Sequence, residues 1–187
     1  MSLVREGKID ILVGTQILAK GHDFPSVTLI CLIELDQMLN LPDFRSGERT
    51  FQLLVQAAGR AGRGEYPGKV LVQTSRPDHP VVHAGLQQNY LSFAEMEVEF
   101  RRDALYPPFS RLVLFEFSSS KLNILNSYLK MVESWMEEMS IKYKAKLEDV
   151  MVLGPAIPPI ERIRGRYRRT LLVSSSNYQH LRFIVGA

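Results

Sequence analysis

Residues 56–63 have the composition and spacing of a phosphate-binding face. They read QAAGRAGR. On a helix, residues spaced at i, i+3, i+4 and i+7 share one face, and here these are Gln56, Gly59, Arg60 and Arg63. Arginine keeps its charge and forks onto phosphate oxygens, and an arginine finger contributes roughly 10³ to 10⁵ to turnover in phosphoryl transfer. The stretch predicts contacts to a nucleoside triphosphate; the alternative is a surface helix with two solvated arginines.

A second candidate site lies upstream, where an apolar run ends in a polar loop. Residues 9–13 read IDILV and predict a buried strand, and residues 14–26 continue as GTQILAKGHDFPS. In α/β proteins, ligands bind where strands end in such loops. The next apolar run, residues 27–35, contains Cys31, which favours a buried thiol over a nucleophile.

The C-terminal quarter of the chain is basic. Residues 141–187 hold nine Lys and Arg against three Asp and Glu, and residues 160–169 read IERIRGRYRR. A local positive excess indicates a polyanionic partner, against the alternative of a solvated strand face. If the segment is extended, four arginines lie on one face and Tyr167 lies on the other. The four are Arg162, Arg164, Arg166 and Arg168. A turn at Gly165 would instead split that face between two short strands.

The elements that position these residues alternate as in an α/β unit followed by an α+β unit. Strands predicted at 9–13, 27–34 and 69–74, with a helix at 46–62, indicate a parallel sheet covered by helices. Residues 80–104 predict one long, exposed connecting helix, which Pro107 and Pro108 end.

The remaining sequence predicts a β-α-β-β-α order. Its strands are expected at 109–117, 149–153 and 168–174, and its helices at 121–139 and from about 177. The first of these helices has an apolar stripe that we expect to be core, including Trp135. We therefore predict domains at 1–79 and 109–187 joined by a segment at 80–108. Because no closing strand follows, we expect the second domain to be truncated, with an open sheet edge.

Composition excludes several classes of function. The chain has 187 residues, 45% hydrophobic and 23% charged, with no signal-peptide pattern, which favours a soluble intracellular protein. One cysteine excludes an internal disulfide and a cysteine-based metal site. Neither a phosphate-loop motif nor an adjacent Asp-Glu pair for Mg²⁺ occurs, so we predict that the isolated chain does not hydrolyse ATP.

Several motifs together carry a resemblance to a known family. GTQ…AKGHDFP and QAAGRAGR resemble motifs V and VI of superfamily 2 helicases. With DFRSGERTFQLLV, VLVQTSRPDHPVV and LGPAIPPIERIRGRYR, nearly the whole chain is similar to the C-terminal part of the bacterial primosomal replication-restart helicases, the PriA family. The alternatives are another superfamily 2 helicase or translocase, and a non-catalytic nucleic-acid-binding adaptor.

The resemblance implies the second RecA-like lobe and C-terminal domain of an ATP-dependent 3′→5′ DNA helicase that restarts stalled replication forks. ATP and Mg²⁺ would bind with a first lobe that this chain lacks. The family also carries a zinc-binding cysteine insertion, for which this chain has no ligands. The implied partners are single-stranded and forked DNA, the single-strand-binding protein and primosome proteins, in the bacterial cytoplasm at the nucleoid and with no membrane.

The resemblance also assigns roles to individual residues. The nucleotide-binding residues would be Gly21, Asp23, Gln56, Arg60 and Arg63, with Arg63 as the catalytic finger and Arg60 as its partner. The DNA-binding residues would be Thr15, Gln16 and Lys20, together with Arg162, Arg164, Arg166 and Arg168.

Overall fold

The computed structural model describes residues 8–15, 27–61, 67–144 and 147–186. The chain divides into two compact units, residues 1–100 and 101–187. No helix in the described ranges is long and apolar enough to cross a bilayer.

The first unit is an α/β arrangement around a two-stranded parallel sheet. Strand β1 runs from Leu29 to Leu32 and pairs with β2, Lys69–Val72. The helices are α1 (Leu35–Leu39), α2 (Ser46–Ala58), α3 (Pro80–Leu86) and α4 (Tyr90–Asp103). The predicted parallel sheet with flanking helices is therefore confirmed.

The core of this unit forms where α2 packs against α3 and α4. The ring of Phe51 stacks on Phe93 with centroids 4.1 Å apart, and Leu54 is 1% exposed. A Cβ atom on Gly85 would lie 2.6 Å from Leu54 Cδ1, so the two helices approach more closely than any larger residue would allow. The N-terminus of α3 is capped by His79, whose Nδ1 accepts from the Val81 N–H at 3.2 Å.

Two predictions about strands and burial in the first unit are wrong. Residues 9–13 form no strand, and Ile11 and Val13 are 80% and 87% exposed. Apolar content predicted the strand, but a strand needs a hydrogen-bonded neighbour, and no described strand pairs with this segment. Cys31 is exposed because the α2–α3 side covers only the alternate residues of β1.

The single helix predicted over 80–104 is also wrong. It is replaced by α3 and α4, which are separated at Gln88, a residue with φ of 53° that no α-helix can contain. Rather than connecting the units from the surface, α3 buries Val81 and Val82 in the core of the first unit. The residues of the whole segment favour a helix, but packing against the core requires the chain to change direction at Gln88.

The second unit is an antiparallel sheet with helices on one face. The strands are β3 (Arg111–Ser119), β4 (Met151–Ala156), β5 (Arg162–Ile163) and β6 (Arg166–Ser175), and the helices are α5 (Leu122–Lys142) and α6 (Tyr178–Val185). The order is β3-β6-β4, with β5 paired to β6. The predicted α+β class is confirmed, and the predicted β-α-β-β-α order holds except for the additional short strand β5.

The core of the second unit lies between β6 and the two helices. Leu171 and Val173 of β6 pack with Leu181 and Ile184 of α6. From α5 the buried residues are Leu125 and Leu129, in line with the predicted stripe. The assignment of Trp135 to the core is wrong. Its side chain is 38% exposed, because it lies one position from Met136, which takes the place against the core.

Candidate functional site

The C-terminal end of α2 carries the described part of the predicted nucleotide site. Buried Phe51, Leu54 and Ala57 face the core, and Gln56, two residues after Leu54, lies on the opposite side of the helix. Gln56 and Arg60 are both half-buried.

The helix predicted over 46–62 ends earlier, at Ala58, so the extension to 62 is wrong. Residues 59–61 nevertheless keep helix-like bonds. The N–H of Gly59 donates to the Val55 carbonyl at 2.9 Å, and the N–H of Ala61 donates to the Ala57 carbonyl at 3.1 Å. Arg60 therefore follows Gln56 by four positions, just beyond the end of α2.

Several predicted site residues cannot be placed. Gln16, Lys20, Gly21, Asp23 and Arg63 lie outside the described residues, so their roles stay predictions. Thr15 is described and is exposed in a segment without regular structure.

A polar network joins the carboxyl ends of β1 and β2, and the sequence did not indicate it. Asp36, just after β1, accepts from the Thr74 hydroxyl at 2.6 Å, from the Ser75 N–H at 2.7 Å and from the Ser75 hydroxyl at 2.8 Å. These bonds, the one from Thr74 first, lower the pKa of Asp36 to about 2. The network therefore links the first turn of α1 to the segment that follows β2.

The basic segment forms a β-hairpin that extends from the sheet. Arg162 pairs with Tyr167 and Ile163 with Arg166, and the two-residue turn between them has φ of 49° at Arg164 and 79° at Gly165. Directly paired residues lie on the same face of a sheet. Arg162 therefore shares a face with Tyr167, and Arg166 lies on the opposite face. The single face of four arginines is wrong, and the Gly165 turn that would split it is confirmed.

Two arginines of β6 are committed to neighbouring strand residues. Arg166 donates from Nε to the Ser118 hydroxyl at 3.1 Å and from Nη2 to the Ser118 carbonyl at 2.7 Å. Arg168 forms an ion pair with Glu116 and donates to the Ile160 carbonyl at 3.2 Å. The hydrogen bond from Arg168 lowers the pKa of Glu116, so this carboxylate stays ionised and holds Arg168 against β3.

The other two arginines of the hairpin remain available. The guanidinium carbon of Arg162 lies over the ring of Tyr167, 4.8 Å from its centroid. Arg164 lies in the turn and is exposed. In the part of the chain that the structure describes, neither of these two side chains forms an ion pair.

A second network, around Asp149, anchors the start of α6. The Asp149 carboxylate accepts from the hydroxyls of Ser175 and Ser176 at 2.7 Å each and from the Asn177 N–H at 2.9 Å. It also contacts His180 Nδ1, which must carry the proton because a carboxylate only accepts. Partial burial alone would raise the pKa of Asp149, but the bonds from His180 and its neighbours outweigh it and lower the pKa.

This network is structural rather than catalytic, since both hydroxyls point at the carboxylate and not at the imidazole. Among residues 8–15, 27–61, 67–144 and 147–186, no three His, Cys, Asp or Glu side chains converge as a metal site would require.

Comparison with known proteins divides the chain into two family matches. Residues 1–65 match the helicase conserved C-terminal domain, and residues 102–186 match the primosomal protein N C-terminal domain.

Curated relatives match across both regions. The replication restart protein PriA of Bacillus subtilis (strain 168) is 42% identical over 169 residues, which cover 90% of this chain and 20% of that protein. PriA of Synechocystis is 41% identical over 175 residues, covering 93% of this chain and 20% of the relative. PriA of Haemophilus influenzae is 36% identical over 170 residues, which cover 91% of this chain and 22% of the relative. The chain spans about a fifth of the length of these relatives.

Proposed function

We propose a function from the premise that this chain belongs to the PriA family, as the counterpart of its C-terminal region. It is the second lobe and C-terminal domain of an ATP-dependent 3′→5′ DNA helicase that restarts stalled replication forks. The observation that carries the proposal is the presence of both domains in one chain and in this order. Another superfamily 2 lobe would have no reason to carry the second domain.

The end of α2 supports a role toward ATP as substrate. Gln56 and Arg60 lie one turn apart on the side of the helix that faces away from the core, next to the sequence position of Arg63. We propose that Arg60 and Arg63 bind the phosphates, with Arg63 stabilising the charge of the transferring group, and that Gln56 links the nucleotide state to lobe position. Gly21 and Asp23 complete the proposed nucleotide site.

The described donors fit a phosphate but not a metal ion. Guanidinium and amide N–H groups donate to anions, whereas Mg²⁺ is bound mainly through carboxylates, and residues 56–61 of the described chain contain none. We therefore assign the Mg²⁺ ligands and the phosphate cradle to a first lobe outside this chain. In the proposed cycle, closure and release of the two lobes alternate tight and loose contacts of Thr15, Gln16 and Lys20 with the DNA backbone.

The basic hairpin supports a second contact, to forked DNA or to the acidic tail of the single-strand-binding protein. Arg162 and Arg164 are exposed on an element that extends beyond the sheet, where a polyanion can reach them. Arg166 and Arg168 add positive charge while their side chains are held against β3. Primosome proteins are the further proposed partners, in the bacterial cytoplasm.

The nucleotide role is tested with Arg60→Ala in a longer protein that contains both lobes. Turnover should fall by orders of magnitude while nucleotide affinity changes less, because the guanidinium acts mainly on transition-state charge. Arg45→Ala is the matched control, since Arg45 is an exposed arginine at the other end of the same helix. Equal loss in both variants would show a general effect on the lobe. Unwinding of a 3′-tailed fork tests the direction, and absence of DNA-stimulated hydrolysis would favour an adaptor.

A further inference from the structure

We infer that the tip of the β5–β6 hairpin is a site for one unpaired nucleotide, in which Arg162, supported by the ring of Tyr167, stacks on the base and Arg164 contacts the adjoining phosphate. The inference rests on the proposed DNA-binding function and specifies what this part of the chain recognises. It is carried by the geometry of three residues within six positions of the sequence.

The Arg162–Tyr167 pair supplies a flat surface and not just a charge. The guanidinium carbon lies over the tyrosine ring at 4.8 Å, and cross-strand pairing holds the two residues on the same face. Arg162 is exposed, so a ligand can reach its side chain from solvent. Nucleobases stack on arginine planes and on aromatic rings, but only when they are unpaired and can leave the helix.

Arg164 occupies the first position of the two-residue turn, in the left-handed backbone region. A two-residue turn with positive φ at both residues favours Asn-Gly, because asparagine tolerates the left-handed conformation and arginine does so poorly. Arg164 nevertheless adopts φ of 49°. Asparagine would therefore fit this backbone position at least as well as arginine.

The surroundings of the turn leave room for a ligand. A Cβ atom placed on Gly165 would meet no atom within 4 Å, so the tip projects into open space. Arg166 and Arg168 are bonded to β3, and Arg169 donates to Glu161 at 2.9 Å. These commitments leave Arg162 and Arg164 as the hairpin arginines whose donors are available. An acidic peptide would use the charge of both but not the stacked plane, so the geometry favours a nucleotide.

The test compares a short oligothymidine with an abasic strand of equal length, and so of equal charge, on the 187-residue chain. The unmodified chain should bind the oligothymidine at least about fivefold more tightly, the lower end of what base stacking contributes. Arg162→Lys keeps the charge and removes the plane, so it should abolish this preference. Arg182→Lys, at an exposed arginine of α6, is the matched control and should retain it.

The phosphate contact is tested by the salt dependence of binding. Arg164→Asn should lower the slope of log affinity against log salt by about 0.7, the contribution of one phosphate on a single strand. Because asparagine suits the turn, the same variant should melt at the same or a higher temperature. Arg182→Asn removes the same charge elsewhere and should leave the slope unchanged.

The outcomes separate this inference from the function on which it rests. If the chain binds oligothymidine and abasic strand equally, the stacking site is refuted while a phosphate-based DNA role stands. If it binds neither these strands nor forked DNA, both proposals fail. If Arg162→Lys weakens binding of an Asp/Glu-rich peptide and not of oligothymidine, the hairpin is a protein-docking site and the inference is overturned.

Discussion

Replacing Asp149 with Asn should destabilise the second unit more than any other single removal of a carboxylate there. The Asp149 carboxylate is the common acceptor for the hydroxyls of Ser175 and Ser176, the Asn177 N–H and His180. These donors come from the end of β6 and the start of α6. An asparagine would keep one oxygen acceptor, but its NH₂ group would face donors and leave them unsatisfied.

The magnitude follows from the number of bonds and from their exposure. A hydrogen bond to a charged group contributes about 1.5–3 kcal/mol, but bonds that share one acceptor are not additive. The Asp149 side chain is also 30% exposed, which weakens each bond through solvent screening. We therefore expect a loss of about 2–4 kcal/mol for the whole group. In a domain of this size, that corresponds to a melting temperature lower by at least about 8 °C.

The effect should depend on pH in a defined direction. The folded pKa of Asp149 lies below its usual value of 3.8. A lowered carboxyl pKa contributes stability that is fully present above the unfolded pKa and is lost as the pH falls through the folded pKa. The gap between the unmodified chain and Asp149→Asn should therefore be present at neutral pH and close as the pH falls below about 4.

Thermal unfolding followed by circular dichroism measures both quantities. Glu148→Gln is the matched control, because it removes the same charge from the adjacent, exposed residue. If the two variants melt at the same temperature, the network contributes nothing beyond surface charge. A gap that persists unchanged at low pH would show that the loss is steric and not due to the carboxylate.

Other predictions concern the first unit and the catalytic site. Gly85→Ala should destabilise the unit by about 1–3 kcal/mol in denaturant unfolding, because the added methyl would overlap Leu54; unchanged stability would mean that the α2–α3 contact is loose. Asp36→Asn should lower the melting temperature at neutral pH and lose its effect as the pH falls from about 4 towards 2, since the pKa of Asp36 is lowered to about 2. The isolated chain should show no ATPase activity in a phosphate-release assay, and DNA-stimulated release would contradict the two-lobe proposal. In the longer protein, Arg63→Ala should reduce turnover by roughly 10³-fold or more, and a parallel loss of nucleotide affinity would make Arg63 a ground-state binder instead.

The sequence by itself was sufficient for the family, for the class of each unit and for several of the elements. An apolar stripe located α5, because a single buried face imposes a period of 3.6 on a helix, and apolar and β-branched content located β3. Short motifs such as QAAGRAGR identified the family because they combine residue types that only a particular chemistry requires together.

Tertiary structure decided which apolar residues are buried and which charged residues are available. Residues 9–13 and Cys31 are as apolar as a core strand, but burial requires a partner on each face, which a local pattern cannot supply. The pairs Arg168–Glu116 and Asp149–His180 join residues 52 and 31 positions apart. Only the pairing of strands brings such residues together. The composition of the basic segment likewise showed only its charge. The pairing of strands in the hairpin decided that Arg166 and Arg168 are bonded to β3 and that Arg162 and Arg164 face solvent.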